Sequence, residues 1–467
     1  MFVKQLYTNC LSEAAYFIES EGEAVVIDPL RDIDAYLDLA KERNATIKYI
    51  FETHFHADFV SGHLDLAAAT QAPIVYGPEA VTSFPIYKAK DGEVFNIGKL
   101  RLQVIHTPGH TLESTCYLLL DEDNQPSSLF TGDTLFVGDV GRPDLFSGNL
   151  TKEDLAGLLY DSLNNKIKTL PDNVTVYPAH GPGSSCGKNL GPNTFSTLGE
   201  EKANNYALLA NDKASFIAEV TDGLTTPPSY FPINARINKE GYDALQEVMD
   251  KANQPLSVEA FKAKVKEGVG ILDTRPATEF ANGFVPGSLS IGLEGRFAEW
   301  AGSLLNFGKD IVLVTTPGQE EETIIRLARV GFDHVVGYLQ GGYEAWIAAG
   351  EKHDMIINVE PDELAMDIPH DPNLVIVDVR KPAEFADGHI KDAINLTLSD
   401  MADPGNLGDF DENHNLYVHC QGGYRSIIAC SLLKREGIHN LRNVEGGFSN
   451  MKGTNGLEVV KETNVLN

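Results

Sequence analysis

The strongest constraint on how this chain folds is that part of it repeats. The run Leu272-Asp273-Thr274-Arg275-Pro276-Ala277-Thr278-Glu279-Phe280 returns as Val377-Asp378-Val379-Arg380-Lys381-Pro382-Ala383-Glu384-Phe385. A glycine follows each run (Gly283, Gly388), and Gly341-Gly342 returns as Gly446-Gly447, all at an offset of 105 residues. A unit that long carries its own core instead of stacking as a solenoid repeat, so two copies of one α/β domain are predicted, over 255–352 and 356–467. With 467 residues in all, residues 1–240 leave room for a third domain at roughly 100 to 200 residues per domain. A stretch rich in Thr, Pro and Asn, from about Thr221 to Asn238, reads as the connector.

Charge narrows the partners. A formal net charge of -30 repels phosphate backbones and anionic lipid, and no concentrated basic patch offsets it. Met1 to Cys10 lacks an apolar stretch after its one lysine, and no window approaches the ~18 apolar residues of a membrane span. The expectation is a cytoplasmic protein without nucleic-acid or membrane partners, open to forming a homo-oligomer. Five cysteines (Cys10, Cys116, Cys186, Cys420 and Cys430), odd in number and widely spaced, do not make a disulfide framework and suit a reducing compartment.

From Ile47 to His180, short apolar strands end in polar motifs. Ile47, Tyr49 and Phe51 alternate into Thr53-His54-Phe55-His56-Ala57-Asp58, and further strand ends supply His106-Thr107-Pro108-Gly109-His110, Gly132-Asp133 and Ala179-His180. Imidazoles and carboxylates recurring where an α/β sheet presents its site point to a metal. These residues resemble the metallo-β-lactamase superfamily, which implies an αββα sandwich. Two-zinc members carry a histidine directly after the aspartate of the first motif. Phe59 stands there instead, and it donates nothing to an ion.

That departure favours the persulfide dioxygenases of the same superfamily over glyoxalase-II-like thioester hydrolases. The resemblance implies one Fe(II) per chain, held by His54, His110 and Asp133, a facial set that leaves positions for a sulfur substrate and dioxygen. His56, Asp58 and His180 are then expected to orient ligands and bound water, with His56 as a direct ligand left open. Arg142, in Gly138-Asp139-Val140-Gly141-Arg142-Pro143-Asp144, is a candidate partner for the carboxylate or phosphate of a thiol carrier, or a salt bridge holding its loop. Cys186, in a glycine-rich loop six residues past His180, is a candidate sulfur relay whose thiolate the loop amides would stabilise.

In the last copy, the strand Asn415 to His419 runs into Cys420-Gln421-Gly422-Gly423-Tyr424-Arg425 and then into an apolar helix. A cysteine cradled by amides at a helix start, with an arginine beside it, favours a thiolate and a bound sulfur anion. The loop and its flanking motifs resemble the rhodanese family, which implies that Cys420 carries sulfane sulfur and Arg425 assists. Four residues separate Cys420 from Arg425, against the five of cysteine phosphatases, and Cys430 on the helix reads as core. The first copy has no cysteine, and its equivalent loop ends in Glu320, Glu321 and Glu322, which put negative charge where a sulfur anion would sit. It is predicted to be inactive.

The sequence therefore predicts an α/β multidomain chain, a metallo-β-lactamase αββα sandwich followed by two rhodanese-like α/β domains. The implied function is oxidation of a small-thiol persulfide by dioxygen to sulfite, with Cys420 passing sulfane sulfur to or from thiosulfate. The alternatives are a zinc thioester hydrolase with an appended sulfurtransferase, and a sulfur carrier without turnover.

Overall fold

A computed structural model describes residues 1–145, 149–408, 410 and 413–462. It divides into two compact units, Met1–Glu247 with Ala328–Gly331, and Val248–Leu327 with Phe332–Asn467.

In the first unit, two six-stranded sheets each follow chain order. One contains Phe2–Thr8, Glu13–Ser20, Glu23–Ile27, Thr46–Phe51, Ile74–Tyr76 and Tyr87–Lys88; the other contains Val94–Ile97, Leu100–His106, Thr115–Leu120, Pro126–Gly132, Thr175–Pro178 and Ser196–Thr197. Alternation along the strands builds the layers. In Thr115–Leu120, Tyr117 and Leu119 pack between the sheets with Tyr16, Val25, Phe51 and Phe130. Cys116 and Leu118 face outward against Leu159 and Phe216, from the helices Lys152–Ser162 and Lys213–Thr221. On the other outer face, helix Asp34–Glu42 lays Tyr36 and Leu39 on Phe17, Val26 and Ile50. These are the four layers of the expected αββα sandwich.

Local packing brings the motif-bearing strand ends together. Helix Lys152–Ser162 opens on a capping box between Thr151 and Asp154, and Gly109 rests directly on it. A side chain there would bring Cβ to 2.4 Å from the Cα of Leu159, so the loop carrying His110 seats on the helix backbone.

The predicted connector is a structural part of this unit. Phe231–Glu240 is an α-helix. Its proline lies in the first turn, where a missing N–H costs nothing, and Asn238 is buried. The Asn238 amide donates to the carbonyls of His56 and Phe59 at 2.8 Å each and accepts from Ser61 N–H at 2.9 Å. Residues poor for an isolated helix are retained here because they satisfy the backbone of the His54–Asp58 loop.

The second unit holds the two copies. The first has a five-stranded sheet ordered Pro255–Leu256, Val335–Leu339, Ile311–Val314, Gly270–Asp273 and Ser288–Ser290. In the second the order is Ile357–Val359, Leu441–Val444, Asn415–His419, Leu374–Asp378 and Ile394–Asn395. Every recorded strand pair in both sheets is parallel, and the order is the same copy for copy. The repeated Asp-x-Arg motif has one role in each. Arg275 clasps Asp273 and the carbonyl of Gly283, while Arg380 clasps Asp378 and the carbonyl of Gly388. Among the described residues no helix is long and apolar enough to cross a membrane.

Candidate functional site

Four strand ends of the sandwich converge on Asp133. The nearer carboxylate oxygen of Asp133 lies 3.7 Å from His54 Nε2, 3.4 Å from His110 Nε2 and 3.5 Å from His180 Nε2. All four residues are at least 98% buried. The far side of each imidazole is engaged: His110 Nδ1 meets the carbonyl of Arg142 at 2.8 Å and His180 Nδ1 meets that of Ser12 at 3.2 Å. A carbonyl only accepts, so both rings carry hydrogen on Nδ1 and present a bare Nε2. His54 Nδ1 lies 2.9 Å from Thr53 Oγ1. Burial, and then the neighbouring imidazoles, hold His54 well below the usual imidazole range, so it is neutral.

Among the described residues neither oxygen of Asp133 accepts a hydrogen bond, and His180 Nε2 is equally without a hydrogen-bond partner. A buried carboxylate facing imidazole lone pairs with no donor is costly as it stands. A divalent cation at their focus would satisfy every group at once, and one nitrogen or oxygen from each of His54, His110 and Asp133 lies within 4.8 Å of the others. These residues fit a metal.

Among the described residues three further triads lie nearby: Asp133, His180 and Cys186, which shares Asp133 with the first; His56, Asp58 and His180; and Asp28, Glu52 and His56. Asp58 Oδ2 lies 3.4 Å from His180 Nε2. The His56 Nε2 atom lies 3.0 Å from Asp28 Oδ1 and 3.5 Å from Glu52 Oε2, and among the described residues neither of its ring nitrogens makes a hydrogen bond. Burial opposes charge on His56, but the two carboxylates overcome it and raise its pKa well above the usual value. Burial pushes Glu52 up to about 7 and His63 down to about 3. Phe59 is fully buried, its ring 4.4 Å from that of His56. None of Asp28, Glu52 or His63 was singled out from sequence; the one signal for Asp28 is that it ends an apolar strand, as Asp273 and Asp378 do.

Two further candidate residues lie near the cluster. Arg142 is not free for a carrier: it binds both oxygens of Asp144 at 2.7 and 2.8 Å, and its remaining N–H groups reach the carbonyls of Thr225 and Ser185. The salt bridge that holds the loop is the role observed. Cys186 is 1% exposed beside the cluster, and burial, then Asp58 and Asp133, push its thiol well above the usual range.

A cavity of about 490 Å³ opens beside His110. Its walls include Phe55, Val81, Leu112 and Phe231, the carboxylates Glu79 and Glu113, and from helix Phe231–Glu240 also Arg236, Lys239 and Glu240. Both cations were missed: Arg236 lies in the segment read as a connector and Lys239 directly follows it.

In the last copy, Cys420 follows strand Asn415–His419 and is 2% exposed. Gly423, at φ 109°, turns its N–H toward the sulfur at 3.1 Å just before helix Tyr424–Arg435. Arg425 is not aimed at the sulfur as a free cation, since Glu384 binds both its terminal nitrogens at 2.7 and 2.8 Å. Cys430 is core: it is fully buried, and burial pushes its thiol up. The first copy touches this loop, with Tyr424 Oη donating to the carbonyl of Gly292 at 2.8 Å. A cavity of about 300 Å³ there is lined by Thr278 and Glu294 of one copy and Gly423 and Asn443 of the other.

Comparison with known proteins agrees with the fold. The metallo-beta-lactamase superfamily model matches residues 8–180, and the rhodanese-like domain model matches 257–349 and 360–454. A hydroxyacylglutathione hydrolase of Dictyostelium discoideum is 35% identical over 165 residues, which are 35% of this chain and 59% of that protein. The chain thus spans less than two thirds of that relative's length. A metallo-beta-lactamase from Staphylococcus aureus subsp. aureus COL superposes with a TM-score of 0.65 at 34% identity, over 73% of this chain and 99% of that one. ETHE1 from Myxococcus xanthus is 31% identical over 51% of this chain and 100% of its own, with a TM-score of 0.43.

Proposed function

We propose, for a chain that belongs to the metallo-beta-lactamase superfamily and carries two rhodanese-like domains behind that fold, a coupled sulfur chemistry. The sandwich oxidises a small-thiol persulfide, and the last domain moves sulfane sulfur on Cys420. The overall oxidation is RSSH + O2 + H2O → RSH + SO3²⁻ + 2H⁺. The observation that carries this reading is the split between the two histidines of the first motif. His54 faces His110 and Asp133, whereas the carboxylates of Asp28 and Glu52 are 3.0 and 3.5 Å from His56 Nε2 and the Phe59 ring packs against the His56 ring. That arrangement supports one ion in a set of two histidines and one aspartate.

His54, His110 and Asp133 would hold the iron(II), which when bound would supply the redox chemistry toward a persulfide sulfur and dioxygen. The chain's own groups do the rest. His180 and Asp58 border the site, able to hold water or a departing proton. The largely apolar cavity beside His110 takes the body of the carrier, with polar anchors of both signs at its wall, Arg236 and Lys239 beside Glu79, Glu113 and Glu240. Cys186, against Asp133 and His180, is the candidate to hold sulfur there. At the second site, the Cys420 thiolate attacks the outer sulfur of a persulfide, forming Cys-S-S⁻ and releasing the thiol. Sulfite then takes that sulfur, leaving thiosulfate and the restored thiolate, and the direction reverses when thiosulfate is in excess. The Gly423 N–H steadies the anion in both forms.

A zinc thioester hydrolase with an appended sulfurtransferase is the second reading, favoured by the 35% identity to a hydroxyacylglutathione hydrolase. Oxygen consumption by iron-loaded protein given a small-thiol persulfide separates the two. Uptake with thiosulfate from the parent, and sulfite accumulating in Cys420→Ser, supports the coupled reading. No uptake with iron demonstrably bound removes it and leaves the hydrolase. Unchanged oxidation and thiosulfate output in Cys186→Ser would remove the relay.

A further inference from the structure

Hydrogen positions around Thr53 follow from its partners. Asp28 closes strand Glu23–Ile27 in a left-handed conformation, φ 50°, and is 1% exposed. Its Oδ1 accepts the Thr53 N–H and its Oδ2 lies against Thr53 Oγ1, both at 2.8 Å. A carboxylate has no hydrogen to give, so the Thr53 hydroxyl donates to Asp28 and turns a lone pair toward His54 Nδ1, 2.9 Å away. His54 must therefore carry its hydrogen on Nδ1, which leaves Nε2 bare toward Asp133. Gly132 makes room for this: at φ 51°, a Cβ there would come within 2.6 Å of Thr53 Oγ1.

His110 and His180 reach the same tautomer through backbone carbonyls, which no side-chain substitution removes. His54 alone depends on side chains. We infer that Asp28 and Thr53 are positioning residues that set the His54 tautomer, and through it the affinity of the cluster for a divalent metal. The inference rests on the reading of His54 as a ligand, and it is indifferent to whether the loaded site oxidises a persulfide or hydrolyses a thioester.

Asp28→Asn supplies the sharp test because it is nearly isosteric and reverses the chain. With its oxygen kept on the Thr53 N–H, the new amide NH2 donates to Thr53 Oγ1. The hydroxyl then donates to His54 Nδ1 and moves the ring hydrogen to Nε2, where it blocks coordination. Dissociation constants for Zn(II) and Fe(II), each measured on the full chain by competition with a chromophoric chelator, are expected to rise about 10- to 100-fold in Thr53→Val and at least as much in Asp28→Asn. Thr53→Ser keeps the hydroxyl and should stay within about threefold of the parent.

The ¹⁵N shifts of His54 in metal-free protein, identified by difference from His54→Asn, should report Nδ1–H in the parent and Nε2–H in Asp28→Asn. Parental affinity in both Thr53→Val and Asp28→Asn would overturn the inference. So would a serine variant as weak as the valine, which would place the effect in packing against Gly132. If a variant folds poorly, the parent decides alone, since Nε2–H on its His54 is incompatible with the relay. A parent that binds neither metal would remove the metal reading, while the tautomer measurement would still judge the relay.

Discussion

The two rhodanese-like copies share one sheet order and one Asp-Arg clasp, yet the same loop serves opposite ends in each. In the second copy, the Gly423 N–H points at Cys420 Sγ. Its counterpart in the first copy, the Gly318 N–H, donates at 2.8 Å to the carboxylate of Glu320, which stands where Arg425 stands in the other. Thr315 replaces the cysteine, and its buried hydroxyl has no partner. The first copy lost its nucleophile and also filled its own anion seat. What both copies keep is what folds them; what differs is where the loop amide directs its hydrogen.

The largest expected effect tests the difference itself. Cys420→Ser should reduce thiosulfate–thiol sulfur exchange to background, because the first copy offers no substitute nucleophile. Exchange above background would mean that another cysteine carries sulfur and would dissolve the contrast. The next effect tests what the copies share. Arg275→Ala and Arg380→Ala each leave a fully buried aspartate without its cation. Each should lower unfolding free energy by about 3–5 kcal/mol in urea titrations followed within the second unit. Equal losses would confirm a clasp used for folding in both copies, and a loss confined to Arg380 would tie the motif to the active loop alone.

A third prediction rebuilds the missing site. Thr315→Cys alone should give a sluggish thiol, since Glu320 occupies the loop amide and adds negative charge beside it. Adding Glu320→Ala removes both the charge and the acceptor, frees the amide and should speed alkylation at that position about tenfold at neutral pH, the effect of one pKa unit. Peptide mapping after timed iodoacetamide treatment measures this. Equal rates in the two variants would show that the carboxylate is not what silences the loop.

The same contrast explains which parts could be read from sequence. The tandem domains were legible because a folding motif repeats at fixed spacing, and the metal-type cluster because its residues sit at strand ends where a sheet presents chemistry. Phe59 was informative because an aromatic ring at a ligand position excludes coordination. The rest depended on partners remote in sequence. Nothing near Arg425 announces Glu384, 41 residues earlier, and nothing near Arg142 announces the carbonyl of Thr225. The helix Phe231–Glu240 was hidden because Asn238 is a poor helix former, compensated only by its hydrogen bonds to the loop at 56–61. Cys186 looked like a thiolate in a flexible loop because its nearest charges, Asp58 and Asp133, are far away along the chain.

The smallest predicted effect isolates the Arg425–Glu384 pair, which the first copy lacks, having Glu320 and Glu279 at the matching positions. Burial lifts the Glu384 carboxyl, but Arg425 overcomes this and holds it below the usual carboxylate range. A depressed carboxyl contributes stability that is fully present above its unfolded value near 4.5 and fades as pH falls through the lower folded value. The pair is partly open to solvent, with Glu384 34% exposed, so its contribution is below about 1 kcal/mol. Glu384→Gln should therefore lower stability slightly at neutral pH and flatten the loss of stability below pH 4.5. It should also free Arg425 to turn toward the loop. Hydrogen exchange read separately over the peptides around 279–322 and 384–430 places the effect. Loosening of the second copy alone on acidification, abolished by Glu384→Gln, would mark this pair as the acid-sensitive difference between two otherwise matching domains, whereas equal loosening of both would assign it to the shared framework.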